Sequence, residues 1–112
     1  MKEVKAYVRR DRVADVIAAL KESLAWGGVS GDVAHGLAVY LVRSVVAPPD
    51  ADDRHYSIDL GDEIVNEYKL ELICEDAEVD ALVAVIAAKA HTGRKMAGWI
   101  TVANLERAER IL

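Results

Sequence analysis

The stretch Glu67-Tyr68-Lys69-Leu70-Glu71-Leu72-Ile73-Cys74 decides how the chain is read, because its side chains alternate in kind. Tyr68, Leu70, Leu72 and Cys74 fall on one side and Lys69 and Glu71 on the other, the two-residue period of a half-buried strand. Just beyond it, Asp76 predicts a helix N-cap, and Val79, Leu82, Val83, Ile86 and Ala90 follow at the three-and-four spacing of one helical face. Gly93 is placed to close that helix at C′. A short strand is expected around Trp99 to Val102, then a final turn of helix over Leu105 to Ile111.

Toward the N-terminus the same succession recurs. Val4, Ala6 and Val8 alternate with Lys5, Tyr7 and Arg9, which predicts a strand. Asp11 offers an N-cap, and Val13, Val16, Ile17, Leu20 and Leu24 mark a helix that should stop near Gly27-Gly28. From Val33 to Val46 the β-branched content predicts one arm of an extended hairpin, ended by Pro48-Pro49. Between Pro48 and about Asp62 lies a polar run without periodicity, holding Asp50, Asp52, Asp53, Arg54, His55, Asp59 and Gly61, which reads as a long surface loop. The order strand, helix, strand, loop, strand, helix, strand predicts an α+β, ferredoxin-like βαββαβ fold, with both helices on one face of a four-stranded antiparallel sheet. Apolar residues on the other face have no cover within the chain, so a closed homo-oligomer is expected.

Composition narrows the function classes. A length of 112 residues holds one domain, 1–112, since halves of that size bury too little apolar surface to fold separately. With 53% hydrophobic, 29% charged and only 5% aromatic residues, the core is aliphatic. The net charge of −5, with no basic run beyond Arg9-Arg10, argues against a nucleic-acid binder. The single cysteine, Cys74, excludes an internal disulfide and a multi-cysteine zinc site. No stretch at the N-terminus is apolar enough for a signal peptide or a span, so a cytoplasmic protein is expected.

Several segments together resemble the PII signalling family: the opening Met1-Lys2-Glu3-Val4-Lys5-Ala6, the strand Tyr68-Lys69-Leu70-Glu71-Leu72, the helix closing on Ala90-His91-Thr92-Gly93-Arg94, and the ending Glu106-Arg107-Ala108-Glu109-Arg110-Ile111. The similarity spans nearly the whole chain outside residues 37 to 66, which it identifies with the family's long, flexible T-loop hairpin. It implies a homotrimer that binds an adenine nucleotide in clefts between subunits and regulates a partner protein, a transporter or an enzyme, without catalysis. The residues it implies for the nucleotide are Gly36, Thr92, Gly93, Arg94, Lys95, Gly98, Trp99 and Arg110. Glycines there let backbone N–H groups approach phosphate oxygens, and the arginines add bidentate hydrogen bonds.

The chain also departs from the family pattern. Met96 and Ala97 stand where the family has Gly and Asp, Trp99 where it has a phosphate-binding Lys, and Leu112 where it has a second C-terminal arginine. Fewer cations favour fewer phosphates, so ADP or AMP is expected ahead of ATP. Leu37, Ala38 and Val39 fill the place of the usual Gln, and Glu67 that of a ligand-contacting Lys, which speaks against a 2-oxoglutarate site. Tyr56 does not align with the nucleotidylated tyrosine of some members, so that modification is not expected. Divergent PII-like proteins are associated with bicarbonate or ion transport and carbon and nitrogen metabolism, which suggests a small anion such as bicarbonate as a co-ligand, with Arg43 or Arg54 as counter-charge.

Plainer explanations stand beside these. Thr92-Gly93-Arg94-Lys95 is also what a helix C-cap glycine flanked by dipole-complementing cations looks like, and Arg110 an exposed helical residue. The loop aspartates with His55 match no EF-hand spacing and read as a solvated acidic loop rather than a metal site. His35 has no nucleophile or carboxylate at a recognisable spacing, so no catalytic residues are assigned. Trp26 and Trp99 are accounted for by packing or an interface, with base stacking a further role open to Trp99. The alternative reading of the whole chain is a trimer resembling the CutA proteins, a structural or metal-binding module without nucleotide.

Overall fold

The computed structural model describes residues 1–26, 36–45, 53–93 and 97–112. Strand β1 spans Lys2–Arg9, β2 Leu37–Ser44, β3 His55–Ser57, β4 Asp62–Cys74 and β5 Gly98–Asn104. Helix α1 spans Val13–Glu22 and α2 Val79–Ala90. Four strands form a sheet in the order β2-β4-β1-β5, and the short β3 adds a fifth against β4. Every pairing is antiparallel. The fold is α+β and compatible with a ferredoxin-like arrangement, since β1 lies between β4 and β5 and each helix links strands that are not neighbours.

The alternating stretch Glu67 to Cys74 sets the register. Val4, Ala6 and Val8 of β1 face Leu72, Leu70 and Tyr68 of β4, so the apolar side of one strand meets that of the other. Val4, Ala6, Val8, Leu70, Leu72 and Cys74 are all buried. Onto them pack Val16 and Leu20 of α1 and Val79, Leu82 and Ile86 of α2, with Trp26 closing the edge of the core. Leu37 and Ile100 extend it to β2 and β5. A slip of one residue in β1 would carry its apolar set to the solvent face, which is why this register is strongly specified.

Several expectations shift. The last strand runs through Asn104 rather than ending at Val102, and β4 begins at Asp62 rather than Glu67 because β3 pairs with its first residues across a turn through Gly61. The expected long loop thus contains a small hairpin. Helix α1 has Arg12 at its N-cap position without a side-chain cap, not Asp11, and it ends at Glu22. Leu24, placed on the apolar helical face by the sequence, falls instead in the 3-10 turn Leu24–Trp26 and is exposed. Asp76 is not the cap of α2: Glu75 caps the 3-10 turn Asp76–Glu78 through a capping box with Glu78, and α2 continues from there. Gly93, at φ +73, sits two residues past the His91 C-cap rather than at C′.

The helical turn expected over Leu105 to Ile111 does not form; the segment is irregular and almost wholly exposed. A turn of seven residues has too few internal hydrogen bonds to offset its nucleation cost unless its apolar side chains find a surface, and Ile111 and Leu112 find none. The expected Gly27-Gly28 stop, the start of the hairpin arm at Val33, His35, Pro48-Pro49, Asp50 and Asp52 lie outside the described residues.

Candidate functional site

Strand register places the candidate residues along the sheet. At one end, Val8 of β1 pairs with Gly98 of β5, and Arg9 pairs with Glu67 of β4. Here too Ser44 of β2 pairs with Val65 of β4. The 12 residues of α2 carry the chain back to this end, roughly 18 Å at 1.5 Å per residue, so Thr92 and Gly93 arrive beside the start of β5. Thr92, Gly93, Gly98 and Trp99 are thereby brought to the end of the sheet from which the long hairpin emerges, but on the opposite edge, since β1 stands between β5 and β4 and separates them by about 10 Å. Arg94 and Lys95, expected between them, lie outside the described residues.

At the opposite end, Lys2 pairs with both Cys74 and Asn104. Gly36 and Arg110 are found here, lining a cavity of about 580 Å³ together with Leu37, Leu72 and Cys74. The two groups of expected residues are separated by the length of the paired strands, about 20 Å at roughly 3.4 Å per residue. Within one chain, therefore, Arg110 and Gly36 do not meet Thr92, Gly93, Gly98 and Trp99.

The glycines differ in what holds them. A Cβ at Gly98 would stand 1.9 Å from the Tyr7 carbonyl oxygen, so β5 can pair with the end of β1 only if this residue is glycine. Gly93 needs its left-handed φ of +73 to turn the chain out of α2. Around Gly36 nothing lies within 4 Å of an added Cβ. Trp99 is 75% exposed, cross-strand from Tyr7 on the face away from the helices.

That open face differs from expectation. Instead of an apolar surface it carries ion pairs, Lys5 to Glu3 at 3.2 Å and Lys69 to Glu71 at 3.6 Å, interleaved with aromatic rings. The Lys69 ammonium lies 5.1 Å from the centre of the Tyr40 ring. Strand alternation is the cause: the apolar residues of β1 and β4 went to the helix side, leaving the charged ones here. Cover by further copies would therefore rest on aromatic and ionic matching more than on bulk apolar burial.

The sequence reading missed a polar clasp at the hairpin base. Arg43 donates from Nη1 to Asp59 Oδ2 at 3.0 Å and from Nη2 to Ser57 Oγ, and Ser57 Oγ donates to Asp59 Oδ1 at 3.2 Å. The Arg43 guanidinium holds the Asp59 carboxyl below its ordinary range. Nearby, Ser44 Oγ donates to Glu67 Oε2 at 2.9 Å, which satisfies a carboxylate that is 9% exposed. Arg54 pairs with Glu63 at 3.2 Å. Both arginines expected to face a small anion are thus occupied by carboxylates of their own chain. No sequence signal marked Arg43 with Ser57 and Asp59, because their 14- and 16-residue separations match no local motif.

Arg12, at the head of α1 and at the same end as Thr92 and Gly98, was also missed; its buried Nε has no hydrogen-bond acceptor among the described residues. At the far end, burial pushes the Cys74 thiol up, away from thiolate chemistry. No group of three or more metal-ligating side chains is found among the described residues, and no helix among them is long and apolar enough to cross a membrane. A scan against protein-family models and a search of curated proteins both return no match.

Proposed function

We propose that the chain is a PII-like regulatory subunit, cytoplasmic and homotrimeric, that binds ADP or AMP ahead of ATP in clefts between subunits and signals to a partner protein without catalysing a reaction. The observation that carries this reading is the division of its candidate residues between opposite ends of one sheet. Thr92, Gly93, Gly98 and Trp99 stand at the end of the sheet from which the long hairpin emerges, Gly98 and Trp99 on the edge strand opposite β2, while Arg110 stands on an exposed tail at the other end. A nucleotide is too short to reach both in one chain, but a neighbouring subunit that offers its tail to this end completes the set. The Arg12 guanidinium, with its buried Nε still lacking an acceptor, adds a cation at the end where phosphates would lie.

Binding at this seam would couple to the hairpin because both share the same end of the sheet, so a ligand that touches the hairpin base in one arrangement only would bias its position. Regulation through bicarbonate is not carried by Arg43 or Arg54, since an anion at either would first have to displace a carboxylate.

Native mass spectrometry and calorimetric titration with AMP, ADP and ATP test this reading. The expected result is a trimer of the 12.2 kDa chain whose thermal midpoint rises with ADP or AMP; at one hundred times its dissociation constant the nucleotide adds about 2.7 kcal/mol. Replacing Arg94 and Arg110 together by Ala should abolish that response and leave the trimer intact. A trimer indifferent to every adenosine phosphate would establish the CutA-like reading instead, and a monomer would overturn both.

A further inference from the structure

We infer that the β2 edge of one copy of the chain pairs with the β5 edge of the next, joining their sheets into a closed ring and setting the hairpin base of one copy beside Gly98 and Trp99 of its neighbour. β2 and β5 stand at the two ends of the strand order, and among the described residues nothing pairs with the outer side of either. Such edges offer rows of backbone donors and acceptors, which folded proteins ordinarily blunt with lysine, proline or a bulge. Neither strand does so. Leu37-Ala38-Val39-Tyr40-Leu41-Val42-Arg43-Ser44 carries one charge, held by Asp59, and Gly98-Trp99-Ile100-Thr101-Val102-Ala103-Asn104 carries none. Both pair with their inner neighbours in unbroken register.

Strand direction and side-chain order choose the occupant. Every pairing along β2-β4-β1-β5 is antiparallel, so β2 and β5 run in opposite directions, and a copy set alongside in the same orientation brings its β2 antiparallel to β5. Register then matches the faces. Val39 and Ile100 lie level with the Ala6–Leu70 pair, Leu37 and Val102 with Val4–Leu72, and Tyr40 and Trp99 with Tyr7–Lys69. Edge to edge at the same level, aliphatic meets aliphatic on the helix side and ring meets ring on the open face. Pairing β2 with β2, or β5 with β5, would join two copies and leave the other edge of each bare. Only the head-to-tail match covers both edges of every copy and closes on itself.

The seam also brings together what the single chain keeps apart. Ser44, where β2 ends, and Gly98, where β5 begins, stand at the same end of the sheet with β4 and β1 between them. Across the seam the two strands are adjacent, about 5 Å apart. The stretch from Asn104 to Arg110 extends to about 20 Å, so a tail anchored at the far end is long enough to reach this one. The inference rests on the homo-oligomer of the proposed function and not on its nucleotide.

The test uses the full chain and native mass spectrometry. Val39→Lys with Leu41→Lys places two cations at exposed positions of the β2 edge, and Val102→Lys with Ala103→Lys does the same on β5. Each pair should weaken self-association by about tenfold or more. Mixed in equal amounts, the two variants should form a one-to-one heterodimer through the one β2 and the one β5 left intact. Positions 40 and 99 are three strand spacings apart within a chain, about 14 Å, too far for a disulfide. A chain carrying both Tyr40→Cys and Trp99→Cys should therefore link to other copies on mild oxidation and run as a ladder under denaturing conditions, whereas either substitution alone should not. A dimer formed by one lysine variant alone, a mixture without the heterodimer, or a double-cysteine chain that stays single would each overturn the inference and leave a trimer standing; a monomeric native chain would overturn both.

Discussion

Gly98 shows how one residue can carry two readings. Its sequence context suggested close approach to phosphate, whereas its contacts show close approach to the Tyr7 carbonyl, where a Cβ would sit at 1.9 Å. Gly98→Ala should therefore destabilise the fold by about 2 kcal/mol or more, as overpacking against immovable backbone does. Urea unfolding checks this, and an unchanged midpoint would mean that β5 yields easily at its first residue. At Asp59 the expected effect depends on pH. Arg43 lowers its folded pKa below 3.8, so the pair's contribution is present above that value and is lost as pH falls through the lowered one. The thermal midpoints of the native chain and Asp59→Asn should differ most near neutral pH and converge in strong acid.

At the scale of elements, the Glu67 to Cys74 part of β4 and the buried face of α2 were the most legible because their side chains obey one period without interruption, whereas Ile64 and Val65, both buried in succession, break the alternation at the start of β4. Ile86 lies in the middle of α2 and is 1% exposed against the β1–β4 layer, so Ile86→Ala should cost about 2–5 kcal/mol. Chemical denaturation measures it, and a loss well below 1 kcal/mol would show that the cavity collapses. The ends of elements were read less well. Asp76 looked like a cap, but the capping box of Glu75 and Glu78 starts a 3-10 turn first, and several acids in succession offer the same local signal. The tail from Leu105 to Ile111 has helical spacing yet remains irregular, since spacing describes what a helix would bury and not whether a surface exists to receive it.

For the whole molecule, the described chain leaves three features unsatisfied: an ionic and aromatic sheet face, an apolar edge at β2, and a tail ending in exposed Ile111 and Leu112. The proposed trimer uses the first and third, and the inferred seam with β5 of the next copy the second. Arg110→Ala should leave the oligomeric mass unchanged while abolishing stabilisation by ADP or AMP; if both persist, the tail takes no part in the site.

The amino-acid order alone determined the succession of β1, α1, β2, β4, α2 and β5, though not β3 or the irregular tail, and which side of β1 and β4 faces the helices, because alternation and helical spacing are properties of neighbours along the chain. Only the tertiary structure decided that Gly98 is required by Tyr7, that Arg43 is spoken for by Asp59 and Ser57, and that the expected site residues part to opposite ends of the sheet. Those facts depend on which strands become neighbours and in what register, and pairing between residues tens of positions apart leaves no periodic mark in the sequence.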